Sequence, residues 1–459
     1  MKKFIVFAVV LALLVPSLAM AATEFSLGGF IKLDAMWDSD NTVGKNMNAA
    51  PARNNANGSK HGQLKFTAQG SRFSFTIKGP DLWGAKTTGF IEMDFDTAEA
   101  GIANAAFSAS QSYTPRLRHA MFRFNWPTSE LLFGQYWSMF CEYYAESAED
   151  GPLQMTGTPT ARLAQVRFSQ TFMSDWTVAG LIGNPNNTTL GTTYTNTAIN
   201  NGQYAETPQV QGKIKYSHDF WGKAAYYGKP IPFTIQFVGG WQRNVIRTSS
   251  FAAYTFGENN YGATGTINVQ NQYLNPWLAM GSVFIPVIPT SSANLAGTAS
   301  ILTQWWIGQG VDAFGFTGVS SNKYRFVTNN LGILSYETDL LNKFGGFVEG
   351  QYYFNNQWFA NALYGVSKAY NVSRSRALFG AGVAGLNNME YAFTGDNPST
   401  IQQMSATLWY RPIQAIKFGL QYSYVAANYF QMTTVPGATP NSTRFGDDHR
   451  VEFVGFFYF

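Results

Sequence analysis

The residues able to do chemistry are few and thinly spread. Four histidines, His61, His119, His218 and His449, are scattered through 459 residues. Cys141 is the only cysteine, which excludes an internal disulfide, a multi-cysteine zinc site and a Cys-x-x-Cys-His haem attachment. No phosphate-cradling glycine loop and no His-x-x-x-His metal spacing occurs. Asp447-Asp448-His449 has the composition of an acid/histidine pair or a rim cation site, yet such a cluster at a strand start is more often a solvated loop end. What remains is a separation of charge. The stretch Phe140–Thr160 carries Glu142, Glu146, Glu149 and Asp150, whereas Arg72, Arg123, Arg167, Arg325, Lys213 and Lys215 recur inside alternating segments. Acids on a loop facing arginines on a wall, across a gap one solute wide, make a transverse field. It orients dipolar solutes and lets a guanidinium grip a small carboxylate bidentately. The plainer reading is that these arginines neutralise acids such as Asp34, Glu92, Asp94 and Asp96, or bind lipopolysaccharide at a rim.

Such a field needs a wall whose charges share one side, and the sequence supplies it by alternation. Leu27, Ile31, Leu33, Ala35 and Trp37 fall on one face of a strand; Lys32, Asp34 and Asp38 fall on the other. Phe73, Phe75 and Ile77 oppose Arg72, Ser74, Thr76 and Lys78, and Ile91, Met93 and Phe95 oppose Glu92, Asp94 and Asp96. Val210, Ile214 and Tyr216 oppose Gln211, Lys213 and Lys215. Phe418, Leu420, Tyr422 and Tyr424 oppose Lys417, Gln421 and Ser423. Charges stacked on one face of so many strands need water there, while the other face needs lipid.

The ends agree with this. Arg450–Phe459 places Val451, Phe453, Gly455, Phe457 and Phe459 on one face and stops on an aromatic residue. Exposed at the edge of a soluble sheet, that strand would aggregate. In a closed barrel it pairs with the first strand and shows its aromatics to lipid. Phe459, Phe457, Phe453 and Val451 together look like the C-terminal recognition signal of outer-membrane barrels. At the other end, residues 1–21 read as a secretory signal peptide: Lys2 and Lys3, the apolar run Phe4–Val15, then Ala19-Met20-Ala21 before the cleavage point. The remainder, 22–459, reads as one domain.

Composition bounds the class. Aromatics make up 16% of residues and charged residues 13%, with 44 glycines. No later window is continuously apolar for the roughly 18 residues a spanning helix needs. Without Lys2 and Lys3 the chain has 29 basic and 27 acidic residues, a balance that excludes a nucleic-acid binder. No cofactor is expected.

Short turns at Gly79–Gly84, Trp126–Glu130, Phe172–Asp175, Phe354–Gln357 and Arg411–Gln414 alternate with long polar stretches, the longest being Asn244–Gly297. Nine strands bring the chain through Ile231–Arg243, a tenth is expected near Thr298–Gln309 and the last at Arg450–Phe459. The fold class is therefore all-β, a transmembrane antiparallel β-barrel of about 16 strands, or about 18 if Tyr273–Phe284 and a partner also pair.

Four segments carry a family likeness: Gly28-Gly29-Phe30-Ile31-Lys32-Leu33-Asp34-Ala35, Ser71-Arg72-Phe73-Ser74-Phe75, Leu117-Arg118-His119-Ala120 and Gly134-Gln135-Tyr136-Trp137-Ser138. They resemble the DcaP-like porins, the dicarboxylate-associated branch of the trimeric outer-membrane porins. The likeness covers the first five strands and the third loop, and beyond about Gln170 only general barrel grammar continues. No heptad-rich segment precedes strand one, unlike in some relatives. The resemblance implies a homotrimer of water-filled barrels in the outer membrane of a Gram-negative cell, among lipid and lipopolysaccharide. It also implies that loop three folds into each lumen as a constriction, and that small hydrophilic solutes diffuse passively with a leaning toward anions. It places Arg118 in the lumen, against the phase of Phe122, Phe124 and Trp126. A bulge near His119 would reconcile the two.

Two other functions fit a barrel. A sheath around an electron-transfer cytochrome needs a wide barrel with no occluding loop. An outer-membrane hydrolase needs a Ser–His or Asp–His pair near the interface, and Ser169 and Ser217 face the lumen in this reading.

Overall fold

The computed structural model describes residues 23–40, 42, 51, 61–96, 113–149, 157, 161–186, 202–246, 272–315, 322–328, 334–370, 390–391, 398–429 and 445–459. The expected signal peptide and Asp150 lie outside the described residues. Sixteen antiparallel strands follow one another round a closed wall. They are β1 (Glu24–Asp38), β2 in two pieces (Gln63–Thr67 and Arg72–Lys78), β3 (Lys86–Asp94) and β4 (Arg116–Asn125). Next come β5 (Ser129–Trp137), β6 (Arg162–Phe172), β7 (Trp176–Gly183) and β8 (Gln209–His218). The second half is β9 (Phe233–Trp241), β10 (Trp277–Ile288), β11 (Ala299–Gln309) and β12 (Asn342–Tyr353). It ends with β13 (Trp358–Ala369), β14 (Pro398–Ile413), β15 (Ile416–Tyr429) and β16 (Phe445–Tyr458).

β16 pairs with β1 from Phe30↔Tyr458 to Asp38↔Arg450, so the wall has no free edge. Closure matters because an unpaired N–H or C=O facing hydrocarbon costs several kcal/mol. Side chains alternate as the sequence requires. Leu27, Ile31, Leu33 and Trp37 are exposed on β1, as are Val451, Phe453 and Phe457 on β16, while Lys32, Asp34, Asp38, Arg450 and Glu452 are buried inside.

The count of sixteen agrees with expectation, but two members differ. The tenth strand is Trp277–Ile288, which lies within the stretch read as one long loop, so Ala299–Gln309 is the eleventh. Asn322–Thr328, the segment of Arg325, is not a wall strand. It pairs with Leu334–Leu340 and Glu390–Tyr391 in a separate three-stranded sheet. Alternation marks both segments as strands but cannot say which sheet each joins.

Three local features shape the wall near its interior charges. β2 breaks at 68–71, and there the Ser71 hydroxyl accepts the Lys32 N–H at 3.0 Å in place of a ladder bond. The β3–β4 ladder shifts register after Glu92↔His119, so Arg118 and His119 together oppose one residue and both are buried inward. That is the bulge the phase conflict demanded, with Leu117 and Phe122 left facing out. Beside it Gly134 has φ 116°, and a Cβ there would stand 2.3 Å from the Ala120 carbonyl oxygen. Only glycine fits so close an approach.

Two connections fold into the barrel. The described part of loop three, 138–149, enters from the end that bears the long connections. A hairpin in the connection 219–232, Ala224–Tyr226 paired with Lys229–Ile231, enters from the opposite, short-turn end.

Candidate functional site

The described part of loop three runs along the inside of the wall from β8 round to β1, and each of its described charged residues holds it there. Phe140 fits into a notch at Gly240, where a Cβ would approach its ring to 2.8 Å, and meets Phe314 edge-on at 5.5 Å. The Met139 N–H donates to Gln211 Oε1 at 2.8 Å. Glu142 accepts from Lys213 and, at 2.6 Å, from Lys215. Glu146 accepts from Lys417 at 3.0 Å and Gln351 at 2.9 Å, and its N–H donates to Glu349 at 3.0 Å. The Ala148 N–H donates to Gln421 at 2.8 Å, and its carbonyl oxygen accepts from Lys32 Nζ at 2.8 Å. Glu149 accepts from Gln403 at 3.2 Å and lies 4.0 Å from Arg450.

This changes the role expected of the loop acids. Glu142, Glu146 and Glu149 do not confront the arginines across a gap; they staple the loop to the wall behind it. Lys213 and Lys215 anchor Glu142 and are not part of an opposing row. The physical reason is desolvation: a carboxylate enclosed by a barrel is tolerable only beside a cation or several donors. Burial raises the Glu142 carboxyl, but the ammonium groups of Lys213 and Lys215 outweigh it and hold that pKa at about 2.

The arginines form a strip of their own on β2–β6. Arg118 bonds Glu92 at 2.7 Å and also Asp94, while Arg116 bonds Asp94 at 2.8 Å and Asp96 at 2.9 Å. Arg72 lies 3.8 Å from Glu92 and 5.1 Å from the centre of the Phe30 ring. Glu130 is shared by Arg123 at 3.2 Å and Arg167 at 3.1 Å. Arg162 has no carboxylate within reach among the described residues. Its guanidinium lies 4.7 Å from the Trp137 ring, with Nη1 buried and unbonded. Among the described residues the strip thus holds six arginines and four carboxylates, Glu92, Asp94, Asp96 and Glu130.

Exposure locates the water. On this strip Arg72, Arg116 and Arg123 keep 24%, 32% and 34% of their side chains accessible. Arg450 on β16 keeps none, and on the opposite wall Phe284, Leu302, Phe347, Leu363 and Trp409 are closed off under loop three and the hairpin. Above them Val311, Ala313 and Phe314 pack with Met139 and Phe140. Among the described residues the lumen is therefore filled on the β9–β15 side, and accessible arginines lie along β2–β6.

Of the expected site residues, Arg72, Arg118, Arg123 and Arg167 come together on the β2–β6 strip. The side chain of Arg325 and Asp150 lie outside the described residues, and the strand of Arg325 is not part of the wall. Lys32, Lys417 and Arg450, which hold the loop, were visible in the sequence as inward-phase cations. Arg162 gave no such sign, because it starts its strand. An Asp–His pair does occur: His218 Nδ1 lies 2.9 Å from Asp175 Oδ2 at the short-turn rim. The neighbouring Ser217 hydroxyl is bonded to Thr234 at 2.9 Å, so no serine is poised on that imidazole.

No protein-family model matches this chain, and no curated protein sequence matches it. Solved structures do match its fold. The outer membrane channel DcaP of Acinetobacter baumannii has a TM-score of 0.63 at 15% identity, over 96% of this chain and 98% of that one. Salmonella typhi OmpF, solved in complex with daunomycin, has a TM-score of 0.50 at 12% identity, over 95% and 97%. Pseudomonas putida OprB, in a high-pH structure, has a TM-score of 0.50 at 8% identity, over 95% and 94%. At such identities the likeness establishes a shared fold.

Proposed function

We propose that this chain is an outer-membrane porin of the DcaP-like kind, a water-filled channel for passive diffusion of small hydrophilic solutes that favours anions such as carboxylates. One observation carries the reading: among the described residues, a strip on β2–β6, accessible at Arg72, Arg116 and Arg123, holds six arginines and four carboxylates, beside a lumen otherwise filled by loop three and the hairpin. The excess of guanidinium over carboxylate among the described residues lowers the energy of an anion in the passage, and the planar donors suit a carboxylate. In this reading the long connections face outward, where lipopolysaccharide lies, and the outward Phe459, Phe457, Phe453 and Val451 serve as the assembly signal. Three such barrels assemble as a homotrimer.

The alternatives fare worse. A cytochrome sheath needs an empty bore, and this one is occupied by two inward segments. A hydrolase needs a nucleophile on its imidazole, and Asp175–His218 lacks one among the described residues.

Purified protein in planar bilayers should conduct in steps of three, with a reversal potential on the anion side in a salt gradient. Replacing Arg72 and Arg118 by Ala should move it toward cations. Absence of any conductance would remove the channel; an unchanged ratio in the double variant would remove the selectivity role of these two residues.

A further inference from the structure

The hairpin from the short-turn end meets loop three in the middle of the barrel. Its base is fixed to the wall: Lys223 and Thr290 exchange backbone hydrogen bonds of 2.8 and 2.7 Å, and Ser300 Oγ donates to the Ala225 carbonyl at 3.1 Å. Ala224 and Ala225 are buried. At its tip two tyrosines reach the loop backbone. The Tyr226 hydroxyl accepts the Tyr144 N–H at 3.0 Å and donates to the Glu142 carbonyl at 3.4 Å, while the Tyr227 hydroxyl donates to the Ala145 carbonyl at 2.9 Å. The joint is close-packed, since the cavity between Glu146, Tyr226, Tyr227 and Glu349 measures about 10 Å³, room for one water at most.

The turn chemistry is unusual for a mere connector. Tyr227 and Gly228 have φ 48° and 75°, the mirror-image two-residue turn that favours Asn, Asp or Gly at its first position. An aromatic residue there is strained, and strain that persists is held by its surroundings. Tyr227 lies deep inside the barrel yet keeps 43% of its surface accessible, so the ring borders the water of the lumen.

We infer that this hairpin is a second constriction element, and that Tyr226 and Tyr227 are positioning residues that set where loop three lies across the passage. The wall holds the side chains of loop three and its backbone at Met139, Glu146 and Ala148; the hairpin adds backbone bonds at three further residues, from the short-turn end. A segment held by the wall alone could rock at 142–145, where the hairpin supplies the backbone bonds; held by both, it keeps one bore. The consequence for transport rests on the channel reading above; the positioning role does not.

The test uses the full chain, refolded and checked for heat-modifiable migration. Tyr226→Phe with Tyr227→Phe removes both hydroxyls and keeps both rings. Tyr227→Asn suits the turn better than the native residue and removes a ring that borders the lumen. Hydrogen–deuterium exchange should show the amides of 142–145 exchanging faster in the double variant, a readout that requires no conduction. In bilayers the double variant should show more frequent brief closures, and Tyr227→Asn a higher unitary conductance. Unchanged amide protection at 142–145 would overturn the positioning role. Wild-type conductance and closing frequency in both folded variants would overturn the constriction role. Should the native protein be silent, the channel reading fails, while exchange still decides the positioning.

Discussion

Lys417 on β15 lies 3.0 Å from the Glu146 carboxylate of loop three, and neither side chain exposes as much as a tenth of its surface. Removing one partner of a buried pair leaves the other charge without compensation, at roughly 3–5 kcal/mol. Lys417→Ala should therefore loosen the loop. Conductance traces should become noisier and urea should detach the loop earlier, read by protease sensitivity within 138–161. Glu146→Gln keeps a hydrogen-bonding group and should do less harm.

Arg162 should carry more of the anion preference than its neighbours. Arg123 and Arg167 share one carboxylate, whereas Arg162 has an aromatic ring and no acid beside it among the described residues. Arg162→Ala should shift the reversal potential toward cations further than Arg123→Ala does. Equal shifts would show that total charge, not local compensation, sets selectivity.

Acid should loosen loop three through Glu142. Its folded pKa is about 2, below the ordinary carboxyl value of 4.5. A depressed carboxyl contributes stability that is full above the unfolded value and is lost as pH falls toward the folded one. Closing events should accordingly rise between about pH 4.5 and about pH 2. Glu142→Gln should already be loose at neutral pH and show less change across that window.

Gly134→Val should be poorly tolerated. The position combines φ 116° with a Cβ that would meet the Ala120 carbonyl oxygen at 2.3 Å. The expected result is loss of the bulge that turns Arg118 inward, seen as a reduced heat-modifiable fraction. A variant that folds fully with unchanged selectivity would show the bulge to be dispensable.

Much of this was legible beforehand, and the misses have physical causes. Alternation gave the inward and outward faces of β1, β2, β3, β8, β15 and β16, because lipid and water impose opposite demands on neighbouring residues. The conflict between Arg118 and Phe122 even placed the bulge. The sixteen-strand reading leaves Trp277–Ile288 in a loop, where only the larger count has a strand, and it sets Arg325 on the wall, although its segment joins a separate sheet. Period two identifies a strand but carries no information on its partners. The acids Glu142, Glu146 and Glu149 stand out by type, yet their direction depends on which cations lie nearer in space. Tyr226 and Tyr227 were not legible at all. A short stretch between two strands reads as a turn whether it points away from the barrel or into it.

The seam between β1 and β16 joins residues near opposite ends of the chain, with Asp38 facing Arg450 across it. A copy cut short by a premature stop codon lacks one lip of that seam, however faithfully the earlier strands form. Its leftover row of peptide groups would lie bare in hydrocarbon or seek a neighbour's strand. Selection on this gene should therefore weigh late nonsense and frameshift alleles as heavily as early ones.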